Sequence, residues 1–192
     1  MSDISDRVRI EKTDVLSQWK YKLERVTFRW RRSNGEWQEQ TREAYDRGNG
    51  AAILLYDPKR RTVVLVKQFR LPTYLNGYRE ELIEVTAGLL DNASPEERIA
   101  KEAEEETGYM PQNVRKVFAT FMSPGSVTEI LHLFVGEYAA RMGEGGGIAE
   151  EGEDIAVLEL SFDEAYAMIG DGRIVDAKTI MLLQYAKLHI FA

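Results

Sequence analysis

The sequence predicts an α/β domain, a mixed β-sheet covered by helices on both faces, with a small antiparallel β extension ahead of it. Three observations carry this expectation. From Trp19 to Trp30, aromatic or apolar residues alternate with polar ones, the period of a half-buried strand. Between Ala51 and Tyr138 further apolar runs of strand length are separated by glycine and proline turns. Toward the end, two segments with helical spacing follow a last strand, so helices and strands interleave. A chain of 192 residues, 44% hydrophobic and 30% charged, suits one such domain plus an extension. We place the extension at residues 1–46 and the main domain at 47–192.

Residues 1–16 show no clear period and read as a short helix or an arm. The strand from Trp19 has Tyr21, Leu23, Val26, Phe28 and Trp30 as its apolar positions and is followed by the turn Ser33-Asn34-Gly35. Trp37 to Tyr45 then returns as the second arm of a hairpin. A hairpin alone is marginal, and Trp19, Trp30 and Trp37 need a surface, which either the main domain or a second subunit supplies. After Gly48-Asn49-Gly50, Ala51–Tyr56 and Thr62–Gln68 form a hairpin across a turn in which Pro58 fixes φ. Glu81–Ala87 is a shorter strand leading into a glycine turn at Gly88. Val114–Met122 and Glu129–Tyr138 are strands joined by Ser123-Pro124-Gly125-Ser126, and Ile155–Leu160 follows the Gly143–Gly147 loop. Phe162–Ile169 and Ala177–Phe191 are helical.

The helix between Ser94 and Gly108 has its own local logic. Ser94 is a good N-cap, Pro95 sits where its missing N–H costs nothing, and Glu96 and Glu97 favour the positive end of the dipole. Gly108 ends the helix. Ile99, Ala100 and Ala103 form a narrow apolar face that docks on the sheet, leaving the glutamates at its edge. At ~100° per residue, Glu102, Glu105 and Glu106 converge on one side while Glu104 points away. Like charges at this spacing repel, and they stand at the electrostatically unfavourable end of the helix. A hard divalent cation with oxygen ligands relieves both conflicts.

Composition narrows the chemistry. The absence of cysteine excludes disulfides, thiolate catalysis and cysteine-ligated metal, and two isolated histidines, His132 and His189, argue against a histidine-rich site. His132, between Leu131 and Leu133, reads as structural. A net charge of −7 disfavours a nucleic-acid binder, although not a nucleotide substrate. No apolar run is long enough for a transmembrane helix, and the first residues lack the apolar centre of a signal peptide, so the cytoplasm is the expected compartment.

Ala87 to Tyr109, AGLLDNASPEERIAKEAEEETGY, resembles the signature of the Nudix hydrolases, G-x5-E-x7-R-E-U-x-E-E-x-G-U. Gly88 matches the opening glycine, and Glu102 to Tyr109 matches the closing half without a gap. Two departures stand out. Lys101 occupies the place of the signature arginine, and the front half is one residue short, with Ser94 where the first glutamate falls. That glutamate and arginine brace the loop, so the change should alter loop geometry more than metal binding. The segments from Tyr45 to Ala51, Gln68-Phe69-Arg70, Ala87 to Asn92, Met122 to Gly125, Val127-Thr128-Glu129 and the acidic loop before Asp154 resemble those of the GDP-mannose hydrolases of this superfamily.

The resemblance implies a Nudix α/β/α sandwich whose N-terminal β extension joins two subunits into a homodimer. It implies Mg²⁺-dependent hydrolysis of the pyrophosphate bond of a nucleotide sugar, GDP-mannose first and ADP-ribose second, with Mn²⁺ as an alternative ion. Glu102, Glu106, Glu153 and the Ala87 carbonyl are the implied metal ligands, and Glu105 lies nearby. Glu153 is the implied base, with Glu150, Glu151 and Asp154 as substitutes; Asp154 also reads as a strand cap. Arg70 is the candidate phosphate clamp, since a guanidinium pairs with phosphate oxygens in a bidentate way, with a surface salt bridge as the plain alternative. Ala87, Gly88, Leu89, Arg42, Glu43, Glu129 and Lys178 match positions around the substrate, and an exchanged hairpin would carry Arg42 to the partner's site. The Gly-rich acidic loop reads as a flexible segment able to close over a metal–diphosphate complex. A non-catalytic module of the same fold should lack metal glutamates, and none is missing. A calcium-binding protein should show EF-hand spacing, which is absent.

Overall fold

The structure is a computed structural model that describes residues 3–91, 93–148, 150 and 152–192. Asn92 and Glu151, both named above, lie outside the described residues. The chain divides into two compact units, one made of the described residues up to Gly48 with Phe121–Ile130, the other of Asn49–Thr120 with Leu131–Ala192.

The first unit is a three-stranded antiparallel sheet in the order β1-β2-β3, with β1 at Val8–Gln18, β2 at Lys22–Arg31 and β3 at Trp37–Asp46. The expected hairpin thus has a third strand in front of it, where the sequence reading has a helix or an arm. The reason it lacks a period is physical. β1 is an edge strand exposed along most of its length, and its register against β2 shifts between Ile10 and Lys12 and again between Val15 and Ser17, which breaks the alternation of two. Trp19, read as the start of a strand, stands in the β1–β2 turn and is 93% exposed. Arginines cover the other two tryptophans: Arg7 lies 4.2 Å from the centre of the Trp30 ring and Arg9 4.4 Å from that of Trp37. The 121–130 segment joins this unit by a parallel bridge, with Tyr45 N–H donating to Ser126 O (2.8 Å) and Thr128 N–H to Tyr45 O (3.1 Å).

The second unit is an α/β sandwich around a mixed sheet in the order β10-β5-β4-β9-β8. Its strands are β4 (Gly50–Asp57), β5 (Thr62–Gln68), β6 (Leu82–Glu84), β7 (Thr86–Leu89), β8 (Pro111–Phe121), β9 (Ile130–Tyr138) and β10 (Ala156–Ser161). The helices are α1 (Leu71–Leu75), α2 (Pro95–Thr107), α3 (Phe162–Gly170) and α4 (Ala177–His189). β4 runs parallel to β9 and antiparallel to β5. Both faces of β4 are covered, so it reads as a continuous apolar run. Ala51, Ile53 and Leu55 pack with Ile99 and Ala103 of α2, while Tyr56 meets Phe191 edge to face at 6.1 Å, beyond the end of α4.

β4 and β5 pair only from Leu55↔Val64 to Asp57↔Thr62 and then part. The expected strand over 81–87 fills the gap as two pieces: β6 pairs with β5, and β7 pairs with β4. Gly88 is therefore a strand residue opposite Ala51, not a turn. The chain crosses the gap at Val85, which has no exposed surface, and its N–H donates to Thr179 Oγ1 of α4 at 2.8 Å. The same hydroxyl donates to Asp176 Oδ2 (2.6 Å), the N-cap of α4. The sequence reading also passes over α1, a single turn too short to show a period. No helix among the described residues is long and apolar enough to cross a membrane.

The crossing fixes an expected outcome. Thr179→Val keeps the shape but strands the Val85 N–H, and an unmet buried donor costs roughly 1–3 kcal/mol. Urea denaturation should show a loss of that size, and an unchanged midpoint would mean that the crossing finds another acceptor.

Candidate active site

The site is built on α2. Ser94 Oγ accepts the N–H of Glu97 (3.3 Å) and donates to Glu97 Oε2 (2.6 Å), so the residue standing at the place of the signature's first glutamate is the helix cap. At the other end Gly108 takes φ 74° and its N–H reaches Glu104 O at 2.9 Å. The Gly-rich loop meets the Glu105 and Glu106 carbonyls and that of Gly108. Met142 and Gly143 N–H groups donate to Gly108 O, Gly146 to Glu106 O (2.8 Å) and Gly147 to Glu105 O (3.2 Å). A Cβ on Gly145 would lie 2.7 Å from Glu106 O. Gly145 therefore serves close backbone approach, and Gly146 and Gly147 supply the left-handed backbone that follows it. Residues 142–147 form a cap on the helix end, in place of the free closing segment read from their composition.

The buried face of α2 carries Ile99, Glu102, Ala103, Glu106 and Thr107. Two of the glutamates face inward, where the sequence reading sets them at the edge, and Glu104 is exposed as expected. Glu102 lies against β7: a Cβ at position 88 would be 2.0 Å from its Oε1, so Gly88 is required for space. Arg98, one turn earlier, reaches the same Oε1 at 2.5 Å and donates through Nε to Leu89 O at 3.0 Å. Glu106 is only 2% exposed, and its Oε2 is buried without a hydrogen-bond partner. Burial, reinforced by the neighbouring Glu102 charge, pushes the Glu106 carboxyl up to about 8, although a hydrogen bond from Thr86 works the other way. Burial also raises Glu102, against the pull of Arg98, with Glu105 and Glu153 adding to the rise.

The third glutamate departs from the expected trio. Glu105 is paired with Lys101 at 3.0 Å, on a lysine 63% exposed. Glu153 Oε2 accepts the Ile148 N–H at 2.8 Å and lies where a Cβ on Gly147 would come within 2.5 Å. Glu150 is exposed. Among the described residues no group of three acidic or histidine side chains stands close enough to hold an ion unaided. The chemistry of the pair still fits a divalent cation. Glu102 and Glu106 are two acids in a desolvated seam, one with an orphaned oxygen, and a bound cation would offset the burial and mutual repulsion that raise both.

A second polar centre lies in the gap of the sheet. Glu84, 1% exposed on β6, accepts from Arg70 Nε at 2.6 Å and is bonded to Lys178 Nζ, which also stands 3.0 Å from Asp176. The expected substrate-binding residues Arg70 and Lys178 thus meet on one carboxylate. The sequence reading does not single out Glu84; its signal is an acid in the same strand register as the inward Leu82 and Thr86. Arg42, Glu43 and Glu129 belong to the other unit. Arg42 and Glu43 line an open cleft of about 610 Å³ there with Phe28, Phe121 and Val127, and Glu129 stands 3.6 Å from Arg47. His132 is half-buried, its Nδ1 has no partner, and burial lowers its pKa, which keeps it neutral.

Two family models match the chain in succession. The family described as NUDIX domain matches residues 46–183, and that described as GDP-mannose pyrophosphatase NudK N-terminal domain matches residues 7–45. The chain is 54% identical over 185 residues to the GDP-mannose pyrophosphatase of Yersinia enterocolitica serotype O:8 / biotype 1B, covering 95% of this chain and 97% of that protein. It is 52% identical over 184 residues to the protein of that name from Pectobacterium atrosepticum, covering 95% of each. A solved structure of an ADP compounds hydrolase superposes with a TM-score of 0.71 at 17% identity, covering 94% of this chain and 95% of that one, which is a likeness of fold.

Glu106 gives a pH test. Its folded-state pKa of about 8 exceeds the ordinary 4.5, so the stability tied to its proton is fully present below 4.5 and is lost as pH rises through 8. In EDTA, Glu106→Gln should therefore become progressively more stable than the parent between about pH 5 and 8. A difference that stays flat across that range in urea titrations would show that Glu106 is not held protonated.

Proposed function

From the premise that this chain belongs to the Nudix hydrolase family, we propose that it hydrolyses the pyrophosphate bond of a nucleotide sugar, GDP-mannose above others, giving GMP and mannose 1-phosphate. Nudix hydrolases generally use a divalent metal ion, typically Mg²⁺. The observation that carries the reading of substrate is that both parts of the chain, 7–45 as well as 46–183, match the relatives that bear this activity in their name.

In this reading Glu102, Glu106 and the Ala87 carbonyl would hold Mg²⁺ or Mn²⁺, an ion that supplies charge neutralisation on the diphosphate and makes a bound water more acidic. Arg70 and Lys178 bind the negative diphosphate oxygens and orient the bridge, releasing part of their hold on Glu84 as they do so. Glu153 accepts the proton of the attacking water at Oε2, the atom that otherwise takes the Ile148 N–H. Water oxygen joins one phosphorus, the bridging P–O bond breaks, and the leaving phosphate departs as its anion. Glu105 adds negative potential beside the reacting water. Ala87, Gly88 and Leu89 offer backbone groups along β7. Arg42, Glu43 and Glu129 are the nucleotide-contact candidates of the N-terminal unit, which is also the homodimerisation element in this reading.

Incubation with Mg²⁺ and a panel of GDP-mannose, ADP-ribose, GDP-glucose and dinucleoside polyphosphates, with products separated, should give GMP and mannose 1-phosphate at the highest kcat/KM. Cleavage of nothing in the panel would sink the reading, and a preference for ADP-ribose would reassign the substrate. In the same assay Glu106→Gln should lose roughly 10²–10³-fold in kcat, the scale of several kcal/mol of lost charge stabilisation. Glu153→Gln should slow turnover by about 10²–10⁴-fold with metal affinity little changed. An unchanged rate would move the base elsewhere.

A further inference from the structure

The shortened front of the signature leaves a physical task without its usual residues. Ser94 is committed to capping α2, and Lys101 points to solvent and pairs with Glu105 at 3.0 Å, so neither braces the connection between β7 and α2. Arg98 does touch both sides of that connection. Its Nε donates to Leu89 O, the last residue of β7, at 3.0 Å, and its Nη2 meets Glu102 Oε1 at 2.5 Å. It is well placed to hold this geometry, being only 24% exposed against a Glu102 side chain that is 9% exposed.

We propose that Arg98 is the positioning residue of the metal site, tying Leu89 to Glu102 so that one carboxylate oxygen is fixed and the other is left for the cation. The inference rests on the reading of Glu102 as a metal ligand. A carboxylate has two oxygens, and a guanidinium can donate to one of them and to a carbonyl at the same time because its donors are set in a rigid fork. Gly88 closes the arrangement from the other side, since the same Oε1 lies where a side chain at position 88 would begin. Glu102 is thereby held between a backbone and a cation before any ion binds. A lysine at position 98 has one compact charge and cannot hold both partners in this way.

The test uses the full chain and Mn²⁺ as the probe. Free Mn²⁺ is counted by electron paramagnetic resonance for the parent, Arg98→Met, Arg98→Lys and Lys101→Met, and hydrogen exchange of the Leu89–Leu90 amides is followed in EDTA. Loss of an outer partner of a metal ligand typically costs 10–100-fold in affinity, so Arg98→Met should weaken Mn²⁺ binding by about that factor. Its Leu89–Leu90 amides should exchange faster without metal, and kcat at saturating Mg²⁺ should recover most of the parent value. Arg98→Lys should fall between, which keeps the question answerable if the methionine variant folds poorly, and Lys101→Met should bind Mn²⁺ as the parent does. Parent-like affinity in Arg98→Met, or the loss appearing in Lys101→Met instead, would overturn the inference alone. A parent protein that binds no Mn²⁺ would overturn it together with the metal-dependent reading. One that binds Mn²⁺ but cleaves no nucleotide sugar would leave Arg98 in place and refute the proposed reaction.

Discussion

Two carboxylates share a dry seam between α2 and the split sheet, and the local structure around them is arranged to tolerate that. Glu102 and Glu106 lie one turn apart on the buried side of the helix, with like charge and little water. A helix C-terminus is the wrong end for negative charge, because the last carbonyls already make it negative. The Gly-rich loop answers this by placing N–H groups of Gly146 and Gly147 on the Glu106 and Glu105 carbonyls. Gly145 leaves no room for a Cβ against the Thr107–Glu106 backbone, and Gly146 and Gly147 take φ of 103° and 79°, so glycine recurs through this loop even though its local sequence looks like a linker.

The sheet supplies the second half of the constraint. Because β4 and β5 part after three pairs, a wedge opens and the β6–β7 segment enters it, placing Glu84 and Thr86 in the interior beside α2 and α4. Glu84 then requires cations, and Arg70 and Lys178 meet it from the ends of β5 and α4. A buried ion cluster of this kind is weak evidence of net stability, since desolvation offsets much of the attraction. It does fix where two cations stand. Glu84 and Arg70 also bear on Glu106 with opposite signs, so the wedge and the helix form one electrostatic unit.

Much of this was legible in the sequence wherever a local rule acts alone. The α2 caps follow from Ser94, Pro95 and Gly108, and the covered strands β4 and β5 follow from continuous apolar runs. What escaped depends on tertiary context. Gly88 looks like a turn residue, yet its need is space for Glu102, a contact fourteen positions away that no local window contains. The break at Val85 is invisible because its stabilising acceptor, Thr179, belongs to the last helix. Strand β1 fails the alternation test because of its bulges and exposure. For the site, the clustering of acids marked the helix, but not which of them would face inward: Glu105 turns to Lys101 while Glu106 is enclosed.

The N-terminal unit poses the opposite problem to the seam around α2. No residue of β1, β2 or β3 is fully buried, so this sheet has no core of its own in a single chain. Guanidinium groups over Trp30 and Trp37 compensate in part, since each such contact contributes on the order of 0.5–1 kcal/mol at exposed sites. That is small beside the conformational entropy of ordering three long strands, roughly 1–2 kcal/mol per residue for the backbone alone. Further apolar contact must come from surfaces such as Ile10, Val15, Leu16 and Trp19, all exposed here. A sheet with exposed apolar residues and no interior needs a further apolar surface to cover it.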